Sequence, residues 1–75
     1  MAQFEVGKTY EAADFAVDPI EVVRRTAKSI FVTNGHANWR MIIRQDEDGN
    51  EFVIDSSVPM KWRGLMTYSA KWVTE

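Results

Sequence analysis

The chain has 75 residues, which is enough for one domain with one small hydrophobic core. It contains no cysteine and a single histidine, so disulfide bonds and cysteine-based zinc sites are excluded. With 9 basic and 11 acidic residues, its net charge of −2 gives no strong overall field for nucleic acid or anionic lipid. We therefore expect a single domain over residues 1–75 that is held together by packing.

The apolar composition favours β-structure. Eight valines and five isoleucines stand against one leucine, and nine residues are aromatic. Stiff β-branched and aromatic side chains suit a pleated sheet, whereas amphipathic helices of a small bundle are rich in leucine. The composition therefore predicts an all-β or β-rich domain.

Six segments of the chain have the pattern of β-strands. The first is short, over residues 7–10, and residues 12–18 after it fit either a loop or one helical turn. Segments 20–26 and 28–34 each alternate between two faces, and their close spacing predicts a hairpin. In the first of these two segments the alternation puts Arg24 on the same face as the apolar side chains at positions 20 and 22.

The clearest strand covers residues 38–45, after the turn signal Asn34-Gly35. The alternation predicts that its inward side chains are Trp39, Met41 and Ile43. A polar loop at 46–50 then leads to a strand at 51–55. A short helical turn at 60–64 precedes the last strand, 65–73, in which we expect Trp72 to lie in the core.

The order of these elements predicts an SH3-like barrel or a curved antiparallel sheet of five to six strands, with one short helical turn before the last strand. SH3-like barrels commonly have a helical turn just before the last strand. The alternative is an OB-like barrel, which usually has a longer helix near its middle, and the sequence has no segment of that kind.

Three motifs carry a resemblance to a known group of proteins. They are RTxKxI at 25–30, WRxxIRxDxxGNE at 39–51, and DSSVPxKWR at 55–63 followed by YSA at 68–70. Together they resemble a group of small uncharacterised proteins of gut Gram-positive bacteria, some of them from mobile elements. The resemblance covers most of the chain and implies neither an activity nor catalytic residues.

The residue pattern argues against an enzyme, a cofactor site and a metal site. His36 follows the Asn34-Gly35 turn, so we expect a solvated loop residue and not a general base. Residues 46–57 begin like an EF-hand loop but lack its glycine at the sixth position and its glutamate at the twelfth. Phosphate-binding loops and serine nucleophile motifs are also missing. With no signal peptide and no long apolar run, we expect a cytoplasmic protein that does not enter a membrane.

Basic residues beside aromatic ones are the main functional lead. They stand at Trp39-Arg40, at Lys61-Trp62-Arg63 and at Lys71-Trp72. Tryptophan and arginine concentrate at protein interfaces, and Trp62 could either close the core or anchor a partner. We therefore predict an interaction module for a protein or peptide partner, or one that self-associates as a homodimer. The candidate binding residues are Trp62, Arg63, Lys61, Arg40, Arg44 and Arg24.

Two other functions stay open. The first is a nucleic-acid-binding barrel that uses basic strand residues, namely Arg24, Arg25, Lys28, Arg40 and Arg44, although the acidic net charge counts against it. The second is a phage or mobile-element inhibitor, in which the five acidic residues within 46–55 imitate nucleic acid. That last hypothesis rests on the acidic block and on the resemblance to proteins of mobile elements.

Overall fold

The computed structural model of this chain describes residues 1–14, 16–55, 61 and 66–74. These residues form antiparallel β-strands, and none of them lies in an α-helix. The strands are β1 (Thr9–Ala12), β2 (Ile20–Arg25), β3 (Ser29–Thr33), β4 (Asn38–Ile42), β5 (Arg44–Gln45), β6 (Glu51–Ile54) and β7 (Thr67–Thr74). The all-β prediction is therefore confirmed.

The strands form one sheet that curves into a nearly closed barrel. Their order across the sheet is β4-β3-β2-β1-β7-β6-β5. The two outermost strands, β4 and β5, follow each other in the chain with only Ile43 between them, and they pair with β3 and β6 respectively. The Ile43 N–H donates to the Lys28 carbonyl at 2.8 Å. One bent strand therefore joins both ends of the sheet.

The number of strands differs from the expected five to six. Each of the six predicted segments overlaps a strand, and the described structure has seven because segment 38–45 is divided at Ile43. Between β1 and β2 the Val17 N–H donates to the Asp14 carbonyl at 3.0 Å, which makes a turn there. The predicted helical turn at 60–64 lies outside the described residues, apart from Lys61.

The core consists of side chains that alternate inward along the strands. The described side chains that are apolar and buried are Phe4, Tyr10, Ala12, Ile20, Val22, Ile30, Val32, Met41, Val53, Tyr68 and Ala70. Trp39 and Ile43 are partly buried and pack against this cluster, as the alternation along segment 38–45 predicts. Phe4 lies before β1 and yet is 1% exposed, so the segment that precedes the first strand contributes to the core.

A β-bulge in β2 overturns one predicted face. The pairing of β2 with β3 shifts by one residue between Val22 and Arg24, so that Val23 is an extra residue. Beyond the bulge Arg24 is exposed and Arg25 is half-buried. The prediction that Arg24 shares the inward face of Ile20 and Val22 is therefore wrong, because one inserted residue reverses the alternation.

Arg25 turns inward to form an ion pair with Glu51 at the start of β6. Its Nη1 lies 2.9 Å from Oε1 and its Nη2 lies 3.1 Å from Oε2, so the pair is bidentate. The Glu51 side chain is only 6% exposed, against 26% for Arg25. The Phe4 N–H also donates to Glu51 Oε1, at 2.8 Å, and Arg25 Nη1 donates to the Phe4 carbonyl at 2.7 Å.

The surroundings of Glu51 set the pKa of its carboxyl group. Burial raises this pKa, but hydrogen bonds from Arg25 and from the Phe4 N–H, together with the charge of Arg25, lower it below the ordinary value of 4.5. The same hydrogen bond raises the pKa of Arg25, against the opposing effect of burial. Both shifts favour the charged forms, so the pair is ionised in the folded chain at neutral pH.

The end of β7 corrects a second prediction. Ala12 pairs with Tyr68, but Tyr10 pairs with Val73, so β7 has several more residues than β1 between these two points. Strict alternation is lost within this irregular stretch, which contains Trp72. Trp72 is 40% exposed, and the prediction that it lies in the core is wrong.

The two glycine turns agree with the sequence analysis. Gly35 has a φ of 92°, and Asn34 Oδ1 accepts hydrogen bonds from the backbone N–H groups of His36 and Ala37, at 2.9 Å each. His36 lies in this turn and is exposed, as predicted. In the β5–β6 hairpin Gly49 has a φ of 81°, and Asp46 Oδ1 accepts two backbone N–H groups of the loop.

Two neighbouring valines on β2 test the assignment of the core. Val22 is fully buried, whereas Val23 in the bulge is 47% exposed. We expect Val22→Ala to lower the free energy of unfolding by about 2 kcal/mol, because it removes two methyl groups and leaves a cavity. Val23→Ala is the matched control, with an expected change of under about 0.5 kcal/mol. Urea denaturation measures both, and equal losses would contradict the position of the bulge.

The two neighbouring arginines test the buried ion pair. We expect Arg25→Met to lower the free energy of unfolding at pH 7 by about 3 kcal/mol, because the Glu51 carboxylate stays buried without its cation. Arg24→Met removes the same charge from an exposed position, and we expect a loss of under about 1 kcal/mol. Urea denaturation of the two variants at pH 7 measures the difference.

The acid dependence of stability provides a second readout of the pair. The pKa of Glu51 is lower in the folded chain than in the unfolded chain, so its contribution is complete above the unfolded value of about 4.5. This contribution is lost as the pH falls through the lower, folded value. We expect Glu51→Gln to remove part of the stability loss that the unchanged chain shows below pH 4.5. An identical acid profile for both chains would contradict the assignment.

Candidate functional site

The predicted binding residues occupy different parts of the fold. Trp62 and Arg63 lie outside the described residues. Lys61 is described and exposed. The other three, Arg24 on β2, Arg40 on β4 and Arg44 on β5, are exposed on the outer surface of the barrel. The structure therefore gives three strand arginines from which a candidate site can be built.

Arg24 and Arg40 lie on either side of an aromatic ring. Phe31 on β3 pairs with Arg24 on one side and with Arg40 on the other, so the three side chains form a row across three strands. Phe31 is half-buried and points outward because its neighbours Ile30 and Val32 point into the core. The guanidinium carbon of Arg24 lies 4.2 Å from the centroid of the Phe31 ring, which is a cation–π contact.

A second arginine–phenylalanine pair on neighbouring strands follows at the bend of the barrel. Arg44 on β5 pairs directly with Phe52 on β6, which is also half-buried. Along the bent strand Arg40, Ile42 and Arg44 alternate outward, and Ile42 is 53% exposed. We call this surface the basic-aromatic face and define it by Val23, Arg24, Phe31, Arg40, Ile42, Arg44 and Phe52.

A shallow depression adjoins this face at the β2–β3 turn. Its volume is about 370 Å³. The described residues that line it are Ala27, Lys28, Ile42, Ile43, Gln45 and Glu51. Lys28 is exposed at its rim, and the two isoleucines give it an apolar wall. The depression can take an apolar side chain of a partner beside the arginines.

Arg25 does not belong to this surface, although it was one of the basic residues proposed for nucleic acid. The bulge at Val23 turns it inward onto Glu51. The periodicity of β6 holds a signal for this pair, because Glu51 shares the inward face of Val53 and therefore needs a buried partner. Nothing in the sequence marks Arg25 as that partner, since the bulge decides its direction.

The acidic block at 46–55 has fewer charged side chains at the protein surface than its sequence suggests. Glu51 and Asp55 are buried, which leaves the three acids of the hairpin loop exposed. The hydrogen bond from the Asn50 N–H is the main cause that lowers the pKa of Asp46 in this loop. The loop is therefore a turn that is stabilised by hydrogen bonds within itself. Among the described residues, no cluster of three His, Asp or Glu side chains could hold a metal ion.

A second cavity lies near one end of the barrel, with a volume of about 410 Å³. Its described lining residues are Val17, Asp18, Asn34, Ala37, Asn38, Trp39, Asp55, Met66 and Tyr68. The indole Nε1 of Trp39 is buried and has no hydrogen-bond partner among the described residues. Burial, and then the charges of Asp55 and Asp18, raise the pKa of the Tyr68 hydroxyl above its ordinary value of 10.0.

Comparisons with known proteins give no match. No family model matches the chain, and neither a curated protein nor a solved structure matches it significantly. The resemblance to small proteins of gut Gram-positive bacteria stays a prediction. Within the ranges that the structure describes, there is no helix of the length and apolarity that crossing a bilayer requires. The chemistry of this chain's own side chains therefore carries the functional proposal.

The environment of Tyr68 predicts a change in alkaline stability. Because the pKa of its hydroxyl is raised in the folded chain, the neutral phenol contributes stability below about pH 10, and this is lost as the pH rises through the folded value. We expect Tyr68→Phe, which cannot ionise, to lose less stability above pH 10 than the unchanged chain. Thermal unfolding across this range measures it, and parallel curves would contradict the assignment.

Proposed function

We propose that this protein is a non-enzymatic interaction module whose basic-aromatic face binds an acidic segment of a partner protein. The row formed by Arg24, Phe31 and Arg40 carries the proposal. Neither of its two arginines forms an ion pair with another described residue, so their charges are available to a partner. A guanidinium that is stacked on a ring keeps its N–H groups in plane, where they can bind a carboxylate with two hydrogen bonds.

The same row argues for a protein partner over nucleic acid. Bases bind to single-stranded binding proteins by stacking on exposed rings. Phe31 is half-buried, and Arg24 already lies over its ring at 4.2 Å. The exposed apolar side chains of Val23 and Ile42 also suit a protein interface better than a phosphate backbone. The net charge of −2 opposes non-specific attraction to phosphates.

The neighbouring depression supports a partner segment that mixes acidic and apolar residues. Its volume of about 370 Å³ and its wall of Ile42 and Ile43 fit one apolar side chain. Lys28 at the rim adds a positive charge next to that position. Binding energy at such interfaces concentrates in a few anchors of this kind, with charged contacts around them.

Selection from a library of random displayed peptides tests the proposal. We expect the immobilised chain to enrich peptides with Asp or Glu beside apolar residues. Calorimetry with a selected peptide then compares Arg40→Glu with Lys71→Glu, an exposed lysine on β7 that gives the same change in net charge. We expect Arg40→Glu to weaken binding about tenfold, or about 1.4 kcal/mol, and Lys71→Glu to leave it unchanged.

Two results would contradict this function. Equal weakening by both variants would show a general effect of charge and not a site. A mobility shift of single-stranded DNA or RNA at low salt, lost in Arg40→Glu, would favour the nucleic-acid alternative. The inhibitor hypothesis is weaker, because two of the five acids that would imitate nucleic acid are buried. The cytoplasmic location stays a prediction.

A further inference from the structure

The segment before β1 is bound to the barrel as a separate peptide would be. Residues 1–5 belong to no strand, but Phe4 is almost completely buried. The Ala2 N–H donates to Asn50 Oδ1 at 2.8 Å, and the Ala2 carbonyl accepts the Glu51 N–H at 2.9 Å. These bonds, one between main chains and one to a side chain, lay the segment along the start of β6.

The main chain of Phe4 is held by the buried ion pair. Its N–H donates to Glu51 and its carbonyl accepts from Arg25, at 2.8 and 2.7 Å. Glu51 and Arg25 therefore bond to each other and to the backbone of Phe4 at the same time. Both backbone groups of the anchor residue are therefore recognised by charged side chains, which gives stronger hydrogen bonds than neutral partners do.

Tyr10 holds the other edge of the segment. Its hydroxyl accepts the Glu5 N–H at 2.8 Å and lies 3.5 Å from the Gln3 carbonyl. Its ring meets the Phe4 ring edge to face, with centroids 4.8 Å apart and planes at 76°. We call this receptor for residues 1–5 the Phe4 cleft and define it by Tyr10, Arg25, Asn50 and Glu51.

A short turn connects the segment to the strand that follows it. The Lys8 N–H donates to the Glu5 carbonyl at 3.3 Å, and Gly7 has a φ of 89°. Val6 at the corner of this turn is 56% exposed and lies outside the core. A different conformation of residues 6 and 7 would direct the segment away from its own barrel, at the cost of the 2.8 Å hydrogen bond from the Gly7 N–H to the Val22 carbonyl.

We propose that the Phe4 cleft accepts the same segment from a second copy of this chain, so that two chains dimerise by exchanging residues 1–5. The second copy fits because its segment rebuilds the contacts already formed within one chain. Within one chain the segment competes at an effective concentration of about millimolar, so the exchanged dimer forms at chain concentrations above this value or when the turn cannot close. The Phe4 cleft shares no residue with the basic-aromatic face and only Glu51 with the depression beside it, so either proposal can fail without the other.

Removing the turn tests the exchange. Deletion of Val6 and Gly7 joins Glu5 directly to Lys8, so that the segment cannot fold back onto its own barrel. We expect this chain to form a dimer by light scattering, with twice the mass of the 8.6 kDa monomer. We expect Phe4→Ala in the same deleted chain to abolish the dimer, and Val6→Ala, which keeps the turn, to stay as monomeric as the unchanged chain.

Two outcomes would overturn the proposal. One is a folded, monomeric deleted chain, and the other is a dimer that persists with Phe4→Ala, which would place the interface elsewhere. A second measurement applies even if the deleted chain does not fold. A synthetic peptide with the sequence of residues 1–7 should raise the melting temperature of the full chain that carries Phe4→Ala. A peptide with alanine in place of phenylalanine should not, and equal effects of the two peptides would also overturn the proposal.

Discussion

The buried ion pair between Arg25 and Glu51 connects parts of the chain that are far apart in sequence. It joins β2 to β6, and it binds both backbone groups of Phe4 in the segment before β1. A carboxylate that is almost fully buried is stable only with such compensation, because an unpaired charge in this place would cost several kcal/mol. The lowered pKa of Glu51 shows that hydrogen bonds and the opposite charge outweigh burial. The packing of Phe4, and with it one end of the core, depends on this pair.

The bulge at Val23 makes the pair possible and creates the candidate binding face in the same step. One extra residue turns Arg25 inward and leaves Arg24 outside, over the ring of Phe31. Without the bulge the alternation would exchange these directions, and the barrel would lose both its internal cation and one arginine of its outer row. A single backbone irregularity therefore contributes both to stability and to the surface on which the proposed function rests.

The bend at Ile43 has a similar double effect. It lets one continuous stretch of chain pair with β3 on one side and with β6 on the other, which nearly closes the sheet and leaves little free strand edge. It also places Arg44 on β5 after Arg40 on β4 in the same outward row. The pair of Arg44 and Phe52 therefore continues the row of Arg24, Phe31 and Arg40. Away from these edges, the outer face and the Phe4 cleft are the two surfaces on which the proposals rest.

The sequence by itself determined the all-β class, the positions of six strand segments, the two glycine turns and the exposed loop position of His36. These features follow from local rules, namely β-branched composition, alternation along a strand and the preference of glycine for positive φ. It also identified Arg24, Arg40 and Arg44 as binding candidates, but it placed Arg24 and Trp72 on the wrong side. Only the tertiary structure decided those directions, the division of the strand at Ile43 and the partner of Glu51. Bulges and long-range pairs depend on the register between strands, which no short stretch of sequence encodes.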